Sequence, residues 1–232
     1  MIKEGNMISN TTISFISCVS NETLYKQCLA HIQQLSIPSG MSIETVPIYN
    51  ATSMTAGYNE GMKKAKGTYK VYLHQDAFIL NQSFLYDLLF LFHNNKKLGL
   101  FGVIGARQLP HHGMWWQSPY ENKIGKIIEV RDTYTQTTCM ETTYMYGKAA
   151  CVDGLLMATQ YDLSWPEEIR GWHFYDTAQC LHYSTHNYDV GIAHQPSPWV
   201  IHYCKTSTME GYYEALPAFQ KWRSLIDDST KT

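Results

Sequence analysis

Charge is scarce in this chain. Only 16% of its 232 residues are charged, and 18 basic side chains stand against 20 acidic ones for a net charge of −2. With no basic excess to neutralise a phosphate backbone, a nucleic-acid partner is disfavoured. Long apolar runs are also missing. The nearest, Phe84 to Phe92, is broken by Asp87 and falls short of the roughly 20 residues a bilayer-spanning helix needs. Met1 to Asn10 lacks the basic start and apolar stretch of a signal peptide. The six cysteines, Cys18, Cys28, Cys139, Cys151, Cys180 and Cys204, form no C-x-x-C pair and no zinc-finger spacing with histidine. They read as reduced, core-type cysteines of a cytoplasmic protein, with peripheral contact at the inner membrane face left open. The ten histidines are spread along the chain, which disfavours a zinc hydrolase. Glycine-rich phosphate loops are absent too: neither G-x-x-x-x-G-K-[ST] nor G-x-G-x-x-G occurs. A nucleotide diphosphate would therefore have to be neutralised by a metal and side chains.

What is present is apolar and aromatic. Hydrophobic residues make up 44%, and 17 Tyr with 6 Trp give an aromatic share of 13%. That suits one large core and walls that stack on sugars or bases. Thr12 to Val19 (TISFISCV) reads as a buried strand. Ser20 or Asn21 can cap the next segment, where Leu24, Cys28, Ile32 and Leu35 recur at helical spacing until Pro38 and Gly40. A strand at Ile43 to Tyr49, a helix at Ser53 to Lys66 and a strand at Lys70 to Leu73 follow. Next come a helix at about Ser83 to Asn95 and a strand at about Leu100 to Ala106. This alternation predicts an α/β fold with a mostly parallel central sheet flanked by helices.

From Leu109 to Tyr146 the pattern changes to loops with short antiparallel pieces, including Lys126 to Arg131 and a Thr-rich run, Thr133 to Thr143. A strand is expected at Val152 to Thr159, a helix within Gly171 to Ser184, a short strand at Pro198 to Tyr203 and an amphipathic helix at Glu210 to Ile226.

The strongest chemical signal is Tyr69 to Asp76 (YKVYLHQD), a strand that delivers a carboxylate at its C-terminal end, where open α/β sheets bind ligands. Asp76 there can hold Mg²⁺ or Mn²⁺, or merely cap a turn before Asn81. Ser53 to Asp76 (SMTAGYNEGMKKAKGTYKVYLHQD) resembles the nucleotide-sugar region of GT-A glycosyltransferases, particularly family-two-like members. Asn59, Ala65, Gly67, Tyr69 and Asp76 match the family's Asn, its A-x-G-x-Y and its acidic metal motif. His74-Gln75-Asp76 stands where D-x-D is usual, which resembles a subgroup with H-Q-D and leaves the first carboxylate missing. Ile16 to Glu22 resembles the first strand and base-contacting turn, with Ser20, Asn21 and Glu22 at the nucleotide. Val152-Asp153-Gly154-Leu155 and Gly171-Trp172-His173-Phe174-Tyr175-Asp176 resemble the strand and acceptor-side helix start that carry the base carboxylate. Tyr175 replaces the usual Glu there, and Asp176 fits the Asp. His202 resembles a late histidine that ligates metal.

The resemblance implies one GT-A-like domain over 1–232, with a donor half at about 12–108, an acceptor half at 109–205 and a C-terminal helix at 206–232. It implies a hexosyltransferase-type enzyme, inverting and assisted by Mn²⁺ or Mg²⁺ on Asp76 and His202. Ser20, Asn21, Glu22, Asn59, His74, Gln75, Asp76 and Asp153 would bind the nucleotide sugar. Asp176 would be the base, with Glu167 or Glu168 as substitutes, and His173, Trp115 and Trp116 would face the acceptor beside His111 and His112. The acceptor is a glycan, lipid-linked or protein hydroxyl. The ten Met and the aromatic last helix serve a homodimer as readily as a core. A non-catalytic nucleotide-sugar or glycan-binding module on the same fold is the alternative. His182, His186 and His194 read as structural or exposed, and Tyr212 and Tyr213 as packing residues.

Overall fold

The computed structural model describes residues 11–142, 145–206 and 209–229. The signal-peptide reading of residues 1–10 and the end of the Thr-rich run at Thr143 lie outside these. The strands are β1 (Thr11–Val19), β2 (Met41–Tyr49), β3 (Tyr69–Leu73), β4 (Ala77–Ile79), β5 (Leu98–Gly102), β6 (Ile104–Ala106), β7 (Lys123–Val130), β8 (Tyr134–Thr138), β9 (Tyr146–Lys148), β10 (Cys151–Val152), β11 (Leu156–Thr159), β12 (Asp189–Ala193) and β13 (Val200–Tyr203). The helices are α1 (Glu22–Gln33), α2 (Met54–Lys64), α3 (Phe84–Asn94), α4 (Tyr175–Thr185) and α5 (Tyr212–Ser229).

Seven strands form the main sheet in the order β2-β1-β3-β11-β5-β12-β9. β1 pairs parallel with both β2 and β3, β12 pairs parallel with β5, and β11 runs against β3 and β5. The sheet is thus mostly parallel, reversed at β11 and at the edge strand β9. A second sheet follows the path β10-β6-β7-β13-β4, with β8 forming a hairpin onto β7.

The expected elements are largely present, with instructive differences. Val152 to Thr159 is two strands, because Asp153-Gly154-Leu155 turns between β10 and β11 and Asp153 Oδ1 accepts from the Leu155 N–H at 2.9 Å. Leu100 to Ala106 splits at Val103, whose carbonyl accepts from the Gln195 side chain and the Lys126 N–H. β5 stays in the main sheet and β6 passes to the second. The short strands β4, β9 and β12 carry too few residues or too mixed a composition to stand out in the sequence.

α1 starts where Asn21 Oδ1 accepts from the Leu24 N–H at 3.1 Å, so Asn21 rather than Ser20 is the cap. Ser53 caps α2 in the same way through the Ala56 N–H. α2 lies against β1 and β2 so closely that a Cβ on Gly61 would strike the Ile16 side chain. The core is continuous across both sheets. Fully buried Phe84, Phe92 and Phe101 pack at its centre, and each such ring contributes roughly 1.5–3 kcal/mol relative to exposure. No helix among the described residues is long and apolar enough to cross a membrane.

Candidate functional site

The C-terminal ends of β1 and β3 open into a cavity of about 870 Å³. Its other walls come from the β10–β11 turn, the start of α4, β13 and the residues leading into α5. The H-Q-D triplet sits at its floor. Asp76 is 8% exposed and follows directly on the apolar strand β3. Its backbone carbonyl accepts from the Tyr203 N–H at 2.9 Å, which brings β13 alongside. His202 Nε2 thereby reaches to 3.6 Å from Asp76 Oδ1, and His74 Nδ1 to 3.8 Å. Both gaps are too long for hydrogen bonds.

Ligand atoms of His74, Asp76 and His202 all lie within 4.8 Å of one another. Buried His202 Nε2 has no hydrogen-bond partner, as expected of a nitrogen kept for a metal. The far side of the His74 ring is fixed by Tyr175, whose hydroxyl bonds His74 Nε2 and leaves Nδ1 toward Asp76. Two imidazoles and one carboxylate fit a divalent cation, so these residues suit the metal that the sequence implies. His74 enters as a third candidate ligand, a role the missing first carboxylate had obscured.

Electrostatics polarise the cluster. Burial works to raise the Asp76 carboxyl, but the His202 and His74 rings outweigh it and hold Asp76 below the usual carboxylate range. Burial opposes the His202 cation, yet Asp76 and Cys204 together bring its ring up to about 10. His74 is pushed down, chiefly by burial, and stays neutral.

Gln75 ties this floor to the β1–α1 turn. Its Oε1 accepts from the backbone N–H groups of Ser20 (2.8 Å) and Asn21 (2.7 Å), while its Nε2 donates to Ser20 Oγ (2.9 Å). Asp176, in the first turn of α4, also lines the cavity. Phe174 before that helix adopts a left-handed φ of 61°, a conformation costly for a non-glycine residue and found where a site is held in place. Asp176 Oδ2 accepts from the Gly154 N–H at 3.1 Å, and Oδ1 from the Thr177 N–H at 2.7 Å. Any side chain at 154 would collide with the Tyr175 ring, so the turn requires glycine. Burial, and then the neighbouring Asp153 charge, outweigh those N–H donors and raise the Asp176 carboxyl to about 7. The residue as a whole is only half-buried, because one edge opens on the cavity while protein surrounds the carboxyl.

The cavity collects most residues singled out from the sequence. Ser20, Asn21, His74, Gln75, Asp76, Trp116, Asp153, His173, Asp176 and His202 all line it. Five others are placed elsewhere. Glu22 is in the first turn of α1, outside the cavity. Trp115 is buried edge-on against Trp116. His111 and His112 do not line the cavity, and His112 Nδ1 accepts from the Met114 N–H. Asn59 is the clearest correction. It is buried on α2 and clasps Trp165, accepting from its N–H at 2.8 Å and donating to its carbonyl at 2.9 Å.

Asn59→Ala should therefore cost about 2–4 kcal/mol in urea denaturation, because two buried backbone groups lose their partner. Ligand binding in the cavity should be unchanged at temperatures where the variant is folded.

Glu167 approaches Asn59 at 3.4 Å and Glu168 faces a separate groove on α5, so neither lines the cavity. His182 and His186, one helical turn apart on α4, are ring partners also outside it. The sequence reading gave no site role to Asn50, Met209 and Glu210 and read Tyr212 as packing, yet these line the cavity, as does Trp172 of the acceptor-side motif. Among the described residues, no lysine or arginine lines it.

Residues 14–221 match the sequence profile of a family described as "Glycosyltransferase like family". No curated protein matches the sequence. Solved structures of similar fold include Staphylococcus aureus TarS 1–349 in complex with UDP, at TM-score 0.56 and 11% identity over 90% of this chain and 64% of that one. Another is the mannosyltransferase PcManGT from Pyrobaculum calidifontis in complex with GDP-Man and Mn²⁺, at TM-score 0.59 and 9% identity over 95% of this chain and 66% of that one. This chain thus spans just under two thirds of either. The fold is that of the GT-A glycosyltransferases.

Proposed function

The chain belongs to this glycosyltransferase-like family, and from that premise we propose that it transfers a sugar from a nucleoside diphosphate sugar to an acceptor hydroxyl, with inversion and with a divalent metal. One observation carries the metal requirement: no lysine or arginine lines the cavity, while His74, Asp76 and His202 converge at its floor. A diphosphate there has no lysine or arginine among the described residues to neutralise it. Two imidazole nitrogens with one carboxylate favour Mn²⁺ over Mg²⁺, which prefers all-oxygen sites. The chemistry such an ion supplies when bound is neutralisation of charge on the departing diphosphate.

The chain's own residues do the rest. The Gln75–Ser20–Asn21 junction presents the turn where the nucleotide would lie, and Asp76 sits beyond it on the floor. Asp176 on the opposite wall takes the proton from the acceptor hydroxyl. The acceptor oxygen bonds to the sugar C1 as the C1–O bond to phosphate breaks. The electron pair leaves with the nucleoside diphosphate, and the proton rests on Asp176. A carboxyl raised to about 7 is matched to that task near neutral pH. In this reading residues 12–108 form the donor half and 109–205 the acceptor half of one domain.

A thermal-shift panel of UDP, GDP, dTDP and CDP, with and without Mn²⁺, tests the proposal. One nucleotide should stabilise the protein only with the metal, by about 2.7 kcal/mol at a hundredfold excess over its dissociation constant. The corresponding nucleotide sugar should then be hydrolysed slowly with water as acceptor. No shift from any nucleotide would overturn the donor-site assignment. A shift without turnover of any sugar nucleotide would leave a binding module.

A further inference from the structure

The acceptor wall of the cavity is aromatic and contains a buried donor with nothing to bond. Tyr212, the first residue of α5, lines the cavity and is 3% exposed, yet its hydroxyl has no hydrogen-bond partner. Leaving a buried hydroxyl unmatched costs roughly 1–3 kcal/mol, so its persistence needs a reason. Tyr212 is held firmly: its ring meets Phe174 at 4.4 Å, His173 at 5.0 Å and Trp116 at 5.3 Å between centroids. Burial, and then the nearby Asp176 charge, keep the phenol proton in place, so at neutral pH the group is a donor beside the proposed base. Trp116 and Trp172 both line the cavity and remain 38% and 51% exposed. The nearby charges are acidic, from Asp153 and Asp176.

Resting on the glycosyltransferase reading above, we propose that Trp116, Trp172 and the Tyr212 hydroxyl form a subsite for an uncharged sugar ring, so that the acceptor is a neutral glycan. Indole faces exposed at a cavity wall stack on the C–H face of a pyranose. The Tyr212 hydroxyl donates to a ring hydroxyl beside the one that faces Asp176. Acidic side chains without a lysine or arginine on this wall disfavour phosphorylated, sulfated or uronic acid acceptors. A lipid would need a continuous apolar groove, which the polar groups of this wall interrupt.

The experiment is binding of the labelled full chain, with Mn²⁺ and the nucleotide that gives the thermal shift, to an array of neutral and anionic glycans. Tyr212→Phe and Trp172→Ala are tested alongside. The expected result is binding to a set of neutral glycans. Tyr212→Phe should weaken it about tenfold, the worth of one hydrogen bond to a ligand. Trp172→Ala should weaken it further. Both variants should keep the nucleotide shift, and Tyr212→Phe should have an unchanged or higher melting temperature. The inference is overturned if no neutral glycan binds, if only anionic glycans bind, or if Tyr212→Phe and Trp172→Ala bind as the parent does. Loss of the nucleotide shift in the parent protein would instead sink the glycosyltransferase reading itself, so the two failures are separable.

Discussion

Asp176→Asn is expected to lower transfer by about 10²–10⁴-fold, the range over which a positioned general base acts. Nucleotide binding should persist, because Asp176 is not among the residues that converge for the metal. The same substitution should raise stability above neutral pH. Asp176 is raised from 3.8 to about 7 in the folded protein. Between those values the folded state binds more protons than the unfolded state, so this group makes stability fall as pH rises. The loss is complete above about pH 7 and absent below about pH 4. Asparagine cannot ionise and keeps an amide oxygen to accept from Gly154 or Thr177. After allowance for solvent in the cavity, the gain at about pH 8 is on the order of 2 kcal/mol, falling away at low pH. Melting curves of both proteins at several pH values check this. The parent's kcat/KM should rise with pH to a plateau above about 7. A pH-independent rate between about 5 and 9, or an active Asp176→Asn, would remove Asp176 from the mechanism.

Asp76→Asn should abolish the Mn²⁺ dependence of nucleotide binding and reduce transfer at least as severely, by about 10³-fold or more, since the metal's contribution is several kcal/mol. The amide keeps the shape of the side chain but loses the one anionic ligand between two imidazoles. His202→Gln should also weaken Mn²⁺ binding, though less than Asp76→Asn, because it removes a neutral ligand and leaves the anionic one. Titration of Mn²⁺ by electron paramagnetic resonance reads affinity without catalysis. Equal Mn²⁺ affinity in the parent and Asp76→Asn would place the ion elsewhere.

The sequence displayed residues 12–108 well because their signals are local. A charge-poor β-branched strand, a capped helix and a carboxylate at a strand end each declare themselves within a few residues. The resemblance found His74, Asp76, Asp176 and His202 in chain order, and the fold gathers all four around the cavity. At Asn59 a motif marks a position along the chain and not a side-chain direction. On α2 that position turns inward to the Trp165 backbone. Tyr212 read as a packing residue for a different reason. Its approach to the cavity depends on α5 packing back against α4, a contact with no local pattern to announce it. Tyr175 looked like a departure from an acidic pair, and its bond to His74 is visible only when helix and floor are seen together.

The Gln75 bridge bears on how the molecule spends conformational freedom. One amide side chain locks the β1–α1 turn to the loop after β3 before any ligand arrives. Docking a nucleotide against that surface freezes little that is not already frozen, so the entropic penalty of ordering is small on this side. The wall that carries Asp176 is assembled from segments far apart in the chain and rimmed by exposed indoles. Adaptive closure around a ligand therefore falls to that wall, and the floor beside Gln75 is the fixed anvil against which it closes.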